Sequence, residues 1–399
     1  MNLTKFRHPA RGSATAIAIL LSLSAAHAAT LQSISTLYST GVDAAGVPLA
    51  EGSNDPHYDF SAVPAGENPP GPIAINSSHG FPIGPWLGDN ATSSWLVPGP
   101  SHVGVDGNYT YRTTFTIPAG VDPSQVFVRG QGTSDNTTTD VRINGVSTGV
   151  TFSGNFPAFD PQFVIQSGFQ VGLNTLEFTV NEAGGGPSGL RAELAGSYAP
   201  AGHIGISNLF NTGVDGSGNP LVEDAADSHW VITSAPTPGG PFATTSAGGF
   251  PVGPWLADNA YSTWLTPTTD TNGLAGDYFY ETSFDLLDAD LSTASLFGRW
   301  AIDNEGLDIL LNGVSTGNAN PNGFGGWTDF SIAADEGDVF NAGSNTLTFI
   351  VNNAGLPTDP PGPIGLRVEF LSGSYAPIPE PSSFGLFALG LLALLRRRR

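Results

Sequence analysis

The sequence predicts an all-β protein of two tandem antiparallel β-sandwiches, and three observations carry that prediction. Fifty-two glycines and 32 prolines among 399 residues suit a chain of many tight turns, while 24 Phe and 7 Trp supply material for cores. Apolar residues recur with period two, the spacing of a strand with one buried face. Most of the chain is also one unit written twice.

The repeat is explicit. Gly80-Phe-Pro-Ile-Gly-Pro-Trp-Leu-Gly-Asp-Asn-Ala91 returns as Gly249-Phe-Pro-Val-Gly-Pro-Trp-Leu-Ala-Asp-Asn-Ala260, and Asp140-Val-Arg-Ile-Asn-Gly-Val-Ser-Thr-Gly149 as Asp308-Ile-Leu-Leu-Asn-Gly-Val-Ser-Thr-Gly317. Asn174-Thr-Leu-Glu-Phe-Thr-Val-Asn181 matches Asn345-Thr-Leu-Thr-Phe-Ile-Val-Asn352, and both copies close on Gly-Leu-Arg and Gly-Ser-Tyr-Ala-Pro. A period of about 170 residues has the size of a domain and is far too long for a solenoid repeat. The copies are placed at 30–200 and 205–377.

Within each copy the strands announce themselves by alternation. Tyr109, Tyr111, Thr113, Phe115 and Ile117 are echoed by Tyr278, Tyr280, Thr282, Phe284 and Leu286. Leu176, Phe178 and Val180 are matched by Leu347, Phe349 and Val351. Asn144-Gly145 and Asn312-Gly313 sit between short apolar runs and predict two-residue hairpin turns. No stretch between the two ends reads as a long amphipathic helix.

The ends read as addresses. Lys5, Arg7 and Arg11 precede an apolar run from Ala14 to Leu23 and an Ala26-His27-Ala28 site, the pattern of a secretory signal peptide over residues 1–28. Export without a single cysteine leaves packing, or packing with metal, to hold the domains. At the other end, Pro379-Glu380-Pro381 leads into an apolar run from Phe384 to Leu395 and then Arg396, Arg397, Arg398 and Arg399. The run is shorter than the ~20 residues of a stable span, and its terminal basic cluster would stay on the cytoplasmic side. Segment 378–399 resembles the PEP-CTERM sorting signal. That resemblance implies a short C-terminal membrane-sorting helix in transient contact with the inner membrane, and an exosortase-type sorting protease as partner. It also implies delivery to the surface or extracellular matrix of a Gram-negative-type bacterium that makes exopolysaccharide.

Charge narrows the partners. Between Asp43 and Glu369 six arginines face 34 acidic residues, a net charge of −28, and no lysine follows Lys5. Such a surface repels phosphate backbones and argues against nucleic acid. It suits divalent cations, neutral sugars or basic partners, and calcium is a candidate beside the plainer reading of solvated acidic loops. The acids Asp285, Asp288 and Asp290, and Asp335, Glu336 and Asp338, are close in sequence, although neither group has EF-hand spacing.

The order of strands, Asp-Asn elements and closing Gly-Leu-Arg resembles galactose-binding-domain-like jelly rolls, a fold that hosts lectins, adhesins and accessory modules. The Asp-Asn elements are Asp135-Asn136 and Asp303-Asn304. Gly145-Val-Ser147-Thr-Gly149 and Gly313-Val-Ser315-Thr-Gly317 match the G-x-S-x-G nucleophile elbow. A hairpin turn is expected there instead, because no helix follows and no histidine lies beyond Ser315. No histidine pair has zinc-ligand spacing, and the acids recurring in both copies fit a shared structural task better than glycoside cleavage. The expected protein is therefore non-enzymatic. For carbohydrate contact the candidates are Trp86, Asp89, Asn90 and Trp95, and their counterparts Trp255, Asp258, Asn259 and Trp264, which combine aromatic surface with hydrogen-bonding groups. The same tryptophans can equally be core plugs. Arg191 and Arg367, each inside an apolar segment, are expected to pair with an interior acid or with carbonyl groups.

Overall fold

A computed structural model describes residues 31–355 and 361–378; the predicted signal peptide and the sorting residues from Pro379 onward, with their expected helix, lie outside the described residues. The two copies fold into the same pair of antiparallel sheets. In the first copy a six-stranded sheet runs in the order Ile73–Ile75, Trp95–Val97, Gly189–Tyr198, Val126–Asp135, Phe163–Ile165, with Gln32–Ser33 also pairing to Gly189–Tyr198. Facing it is a sheet in the order Tyr58–Ala62, Gly107–Ile117, Gly172–Glu182, Thr137–Ile143, Val146–Ser147. The second copy repeats both orders, with Gly365–Pro377 beside Ala289–Asp303 in one sheet and Gly276–Leu286 beside Gly343–Asn353 in the other. The helices among the described residues are single three-residue 3₁₀ turns.

Period two places the core. Tyr109, Tyr111, Phe115 and Ile117 point inward and meet Leu176, Phe178 and Val180 of the neighbouring strand, with Tyr111 directly opposite Phe178. Tyr280 opposite Phe349 repeats the pair. Asn144 (φ 50°) and Gly145 (φ 82°), like Asn312 (φ 52°) and Gly313 (φ 80°), have the left-handed backbone a two-residue hairpin requires. Ser147 consequently lies on an exposed edge strand with its hydroxyl donating to Asp140 Oδ1 at 2.7 Å. The strand-to-helix turn of a nucleophile elbow is not formed.

One aromatic ring fills the same place in both cores from different positions. In the first copy a Cβ on Gly132 would stand 2.2 Å from the Phe152 ring. In the second copy the corresponding residues are Trp300 and Asn320, and it is Gly306, the counterpart of Thr138, that leaves room, with 2.5 Å between its hypothetical Cβ and the Trp300 ring. Asn320 donates to the Trp300 carbonyl at 2.8 Å.

The copies meet through the outer faces of their six-stranded sheets. Phe127 and Phe297 stack with centroids 5.5 Å apart, beside Leu31, Val164 and Leu371. Arg129 forms an ion pair with Asp329. Gln125 Oε1 accepts from the Gly373 N–H at 2.9 Å and the Ser372 hydroxyl at 3.2 Å.

Candidate functional site

The repeated Gly-Phe-Pro-x-Gly-Pro-Trp-Leu-x-Asp-Asn segment lies over the outer face of each six-stranded sheet. Along Gly189–Tyr198, Leu190, Ala192 and Leu194 enter the core, which turns Arg191 and Glu193 outward beneath the segment. Gly365–Pro377 does the same with Leu366, Val368 and Phe370 inward and Arg367 and Glu369 outward.

The four candidate tryptophans are interior. Trp86 and Trp255 are each 3% exposed, and Trp95 and Trp264 are still more buried. Each pair packs ring to ring, at 4.3 Å for Trp86–Trp95 and 4.4 Å for Trp255–Trp264. Rings placed this way present no open face to a sugar. A glycine is required beneath them: a Cβ on Gly189 would lie 2.8 Å from the Trp86 ring, and one on Gly365 2.6 Å from Trp255. That explains the glycine of the repeated Gly-Leu-Arg.

The polar candidates come together as braces. Trp86 Nε1–H donates to Asp135 Oδ2 at 2.7 Å and Trp255 Nε1–H to Asp303 Oδ2 at 2.9 Å. Burial pushes both carboxyls up, Asp303 to about 6, against the lowering effect of the indole donor. The next residues, Asn136 and Asn304, accept the backbone N–H groups of Ala183 and Ala354 through their side-chain oxygens. Asp89 and Asp258, both exposed, take the hydroxyl and N–H of Ser77 and Ser246 respectively. Asn90 donates to Glu193 Oε1 and Asn259 to Glu369 Oε1, each at 2.6 Å.

The arginines clamp the segment to the sheet. Arg191 donates to the carbonyls of Leu87, Gly88 and Ser93 and to Ser93 Oγ at 2.7 to 3.2 Å. Arg367 repeats this on Leu256, Ala257 and Ser262 at 2.7 to 3.3 Å. Burial lowers both guanidinium groups to about 10, which still leaves them charged at neutral pH. Glu193 is held below the usual carboxylate range because donors from Thr92, Asn90, Gln131 and Ser93 outweigh its burial. In the second copy Arg299 replaces Gln131 and binds Glu369 Oε2 through Nε at 2.7 Å and Nη2 at 2.5 Å.

This bracing raises a residue that sequence reasoning passed over. Phe81 is 62% exposed and Phe250, its counterpart, 71%. The signal was present as the repeated Gly-Phe-Pro, but tryptophan took precedence over phenylalanine in the same segment. Beside Phe81 is a group the second copy lacks: His79 Nδ1 pairs with Glu51 at 2.6 Å, and His79 Nε2 meets His102 Nδ1 at 3.0 Å. Gly248 and Thr271 stand in the equivalent places.

Glu182 is a second asymmetry. It is 2% exposed, accepts from Gly186 N–H at 3.0 Å through Oε1, and leaves Oε2 and the nearby Ser188 hydroxyl buried without a well-formed hydrogen bond. Burial, with the negative charges of Asp135 and Asp106 added, pushes its carboxyl up to about 7. Its counterpart Asn353 instead donates to the Gly273 carbonyl at 2.8 Å.

Among the described residues no three acidic or histidine side chains gather into a metal-binding group. Asp285 takes the Asn208 amide and Asp290 the Ser292 hydroxyl.

Comparison with known proteins bears on the tail first. A model of the PEP-CTERM protein-sorting motif matches residues 377–399. The chain carries a PEP-CTERM sorting motif. It is thus an extracellular or surface-sorted protein, and the motif implies processing by exosortase. No curated protein matches the chain. Solved structures similar to it include the tandem CBM51 modules of a family 98 glycoside hydrolase from Streptococcus pneumoniae, at 10% identity and a TM-score of 0.23, covering 87% of this chain and 99% of that one. A tandem CBM22 domain of a Paenibacillus barcinonensis protein is 9% identical at a TM-score of 0.24, covering 86% and 99%. A putative beta-galactosidase from Bacteroides fragilis is 14% identical at a TM-score of 0.25, covering 76% and 36%.

Proposed function

We propose that this is a non-enzymatic protein of the exopolysaccharide matrix, built as domains over 30–200 and 205–377, each of which holds polysaccharide against an exposed phenylalanine. The observation that carries the reading is the repeated display of Phe81 and Phe250, both exposed by more than half, on loops fixed by a buried arginine. An aromatic face held out on a rigid loop stacks on the C–H face of a sugar at little ordering cost. Two such rings on one chain act together on a repeating polymer, so modest single contacts sum to useful retention.

The test is capture of the producing strain's own exopolysaccharide by the exported chain, wild type against the double variant Phe81→Ala, Phe250→Ala. Neither ring is buried, so the variant keeps its fold and loses most of its capture. Capture that survives both substitutions removes the rings from the reading. A wild-type protein that captures no polysaccharide and instead self-associates is a purely structural matrix component.

A further inference from the structure

We propose that the cleft between the two copies binds one neutral saccharide unit per chain. It encloses about 360 Å³, within the range of small-molecule sites. Gln125 and Gln166 of the first copy face Ser207 and Asn211 of the second, over the apolar surface of Phe210 and Phe370. The other lining residues add no acid, arginine or histidine. On a body carrying −28 this is unusual, and it selects the ligand's chemistry. A cation or a basic peptide would find no carboxylate, and an anion no cation. Hydroxyls, carboxamides and apolar carbon together suit a ring with hydroxyls on its rim and C–H groups on its face.

The walls are fixed before a ligand arrives. Gln125 is pinned by Ser372 and Gly373 of the second copy. Asn211 donates to the Tyr261 carbonyl at 3.0 Å and accepts from the Phe370 N–H at 2.7 Å. Phe210 is stacked on His229 with centroids 3.8 Å apart. Against this order one donor stands out: Gln166 Nε2 is buried with no partner. A buried N–H left unpaired is costly to the fold, and a turn of the Gln166 side chain toward the cleft it lines would let a ligand hydroxyl accept from it and recover that cost.

The proposal rests on the carbohydrate reading above but not on Phe81 or Phe250, and it differs in number, one site per chain against two rings. The experiment is calorimetric titration of the exported chain with neutral disaccharides: maltose, cellobiose, lactose and mannobiose. Saturable binding of at least one, at one site per chain, is expected. Gln166→Leu should weaken it about tenfold or more while leaving thermal stability equal or higher, since the buried Nε2–H it removes has no partner. Ser207→Trp, a substitution at an exposed lining residue, should fill the cleft and abolish binding, and the double phenylalanine variant should bind as wild type. Two sites per chain, binding unchanged in Ser207→Trp, or no saturable binding across the set would overturn the proposal. Polysaccharide capture measured on the same Ser207→Trp protein keeps the two readings apart, because a failed cleft with capture intact leaves the phenylalanine rings standing.

Discussion

Replacing Glu182 by Gln should stabilise the first copy, by an amount that grows as pH rises from about 4.5 to about 7 and stays level above that. In the unfolded chain that carboxyl has its ordinary value of 4.5, whereas in the fold burial raises it to about 7. Between those values the native state binds a proton that the unfolded state has released, so stability falls as pH rises, and above about 7 the whole cost is present. The interval of about 2.5 pKa units at 1.36 kcal/mol each corresponds to roughly 3.4 kcal/mol, and solvent screening near the surface reduces this to about 1–3 kcal/mol. Glutamine keeps the acceptor for Gly186 N–H and carries no charge, so it should gain that amount at pH 8 and about nothing at pH 4. Hydrogen exchange offers a clean assay. Protection along Gly107–Ile117 and Gly172–Glu182 is compared between variant and wild type at each pH, with Gly276–Leu286 and Gly343–Asn353 as a control inside the same molecule. An equal difference at both pH values, or a loss of protection at pH 8, would refute the reasoning.

Three further outcomes follow from the repeated braces. Trp255→Phe removes the donor to Asp303 and should cost about 2–4 kcal/mol, more at pH 8 than at pH 5 because the ionised carboxylate loses its partner; chemical denaturation at the two pH values checks this. Arg191→Lys cannot span the Leu87, Gly88 and Ser93 acceptors from one planar group and should cost about 2–4 kcal/mol in the same assay. Gly132→Trp should be strongly destabilising alone, yet recover about 1–3 kcal/mol when joined to Phe152→Asn and Thr138→Gly, the arrangement the second copy uses; a melting series of the single, double and triple variants measures the coupling.

Where chemistry is local, the sequence was legible. The Asn-Gly turns and the alternating tyrosines act through backbone conformation and side-chain direction, which neighbouring residues determine. The predicted partners of Arg191 and Arg367 were half-resolved, and the structure selects carbonyl groups for both, with Glu369 additionally 3.8 Å from Arg367. The tryptophans were not legible because glycine and proline on either side describe a loop equally well whether it lies over a sheet or stands in solvent. Only tertiary contact reveals that Gly189 and Gly365 make room for them. The cleft was out of reach for the same reason. Gln166 and Asn211 lie in different copies, and nothing in the spacing of either records the other.

The placement of the arginines has a consequence for survival outside the cell. Each arginine among the described residues lies within a strand: Arg112 in Gly107–Ile117, Arg129 in Val126–Asp135, Arg142 in Thr137–Ile143, Arg191 in Gly189–Tyr198, Arg299 in Ala289–Asp303 and Arg367 in Gly365–Pro377. Proteases that cut after basic residues need a pliable, exposed segment to draw into their cleft, and they find such segments in loops. Here the abundant loops contain no scissile basic residue, and the scissile residues are stitched into sheets. A trypsin-class enzyme must wait for a strand to leave its sheet, so the digestion rate of the folded body becomes a direct reading of how often its sheets open.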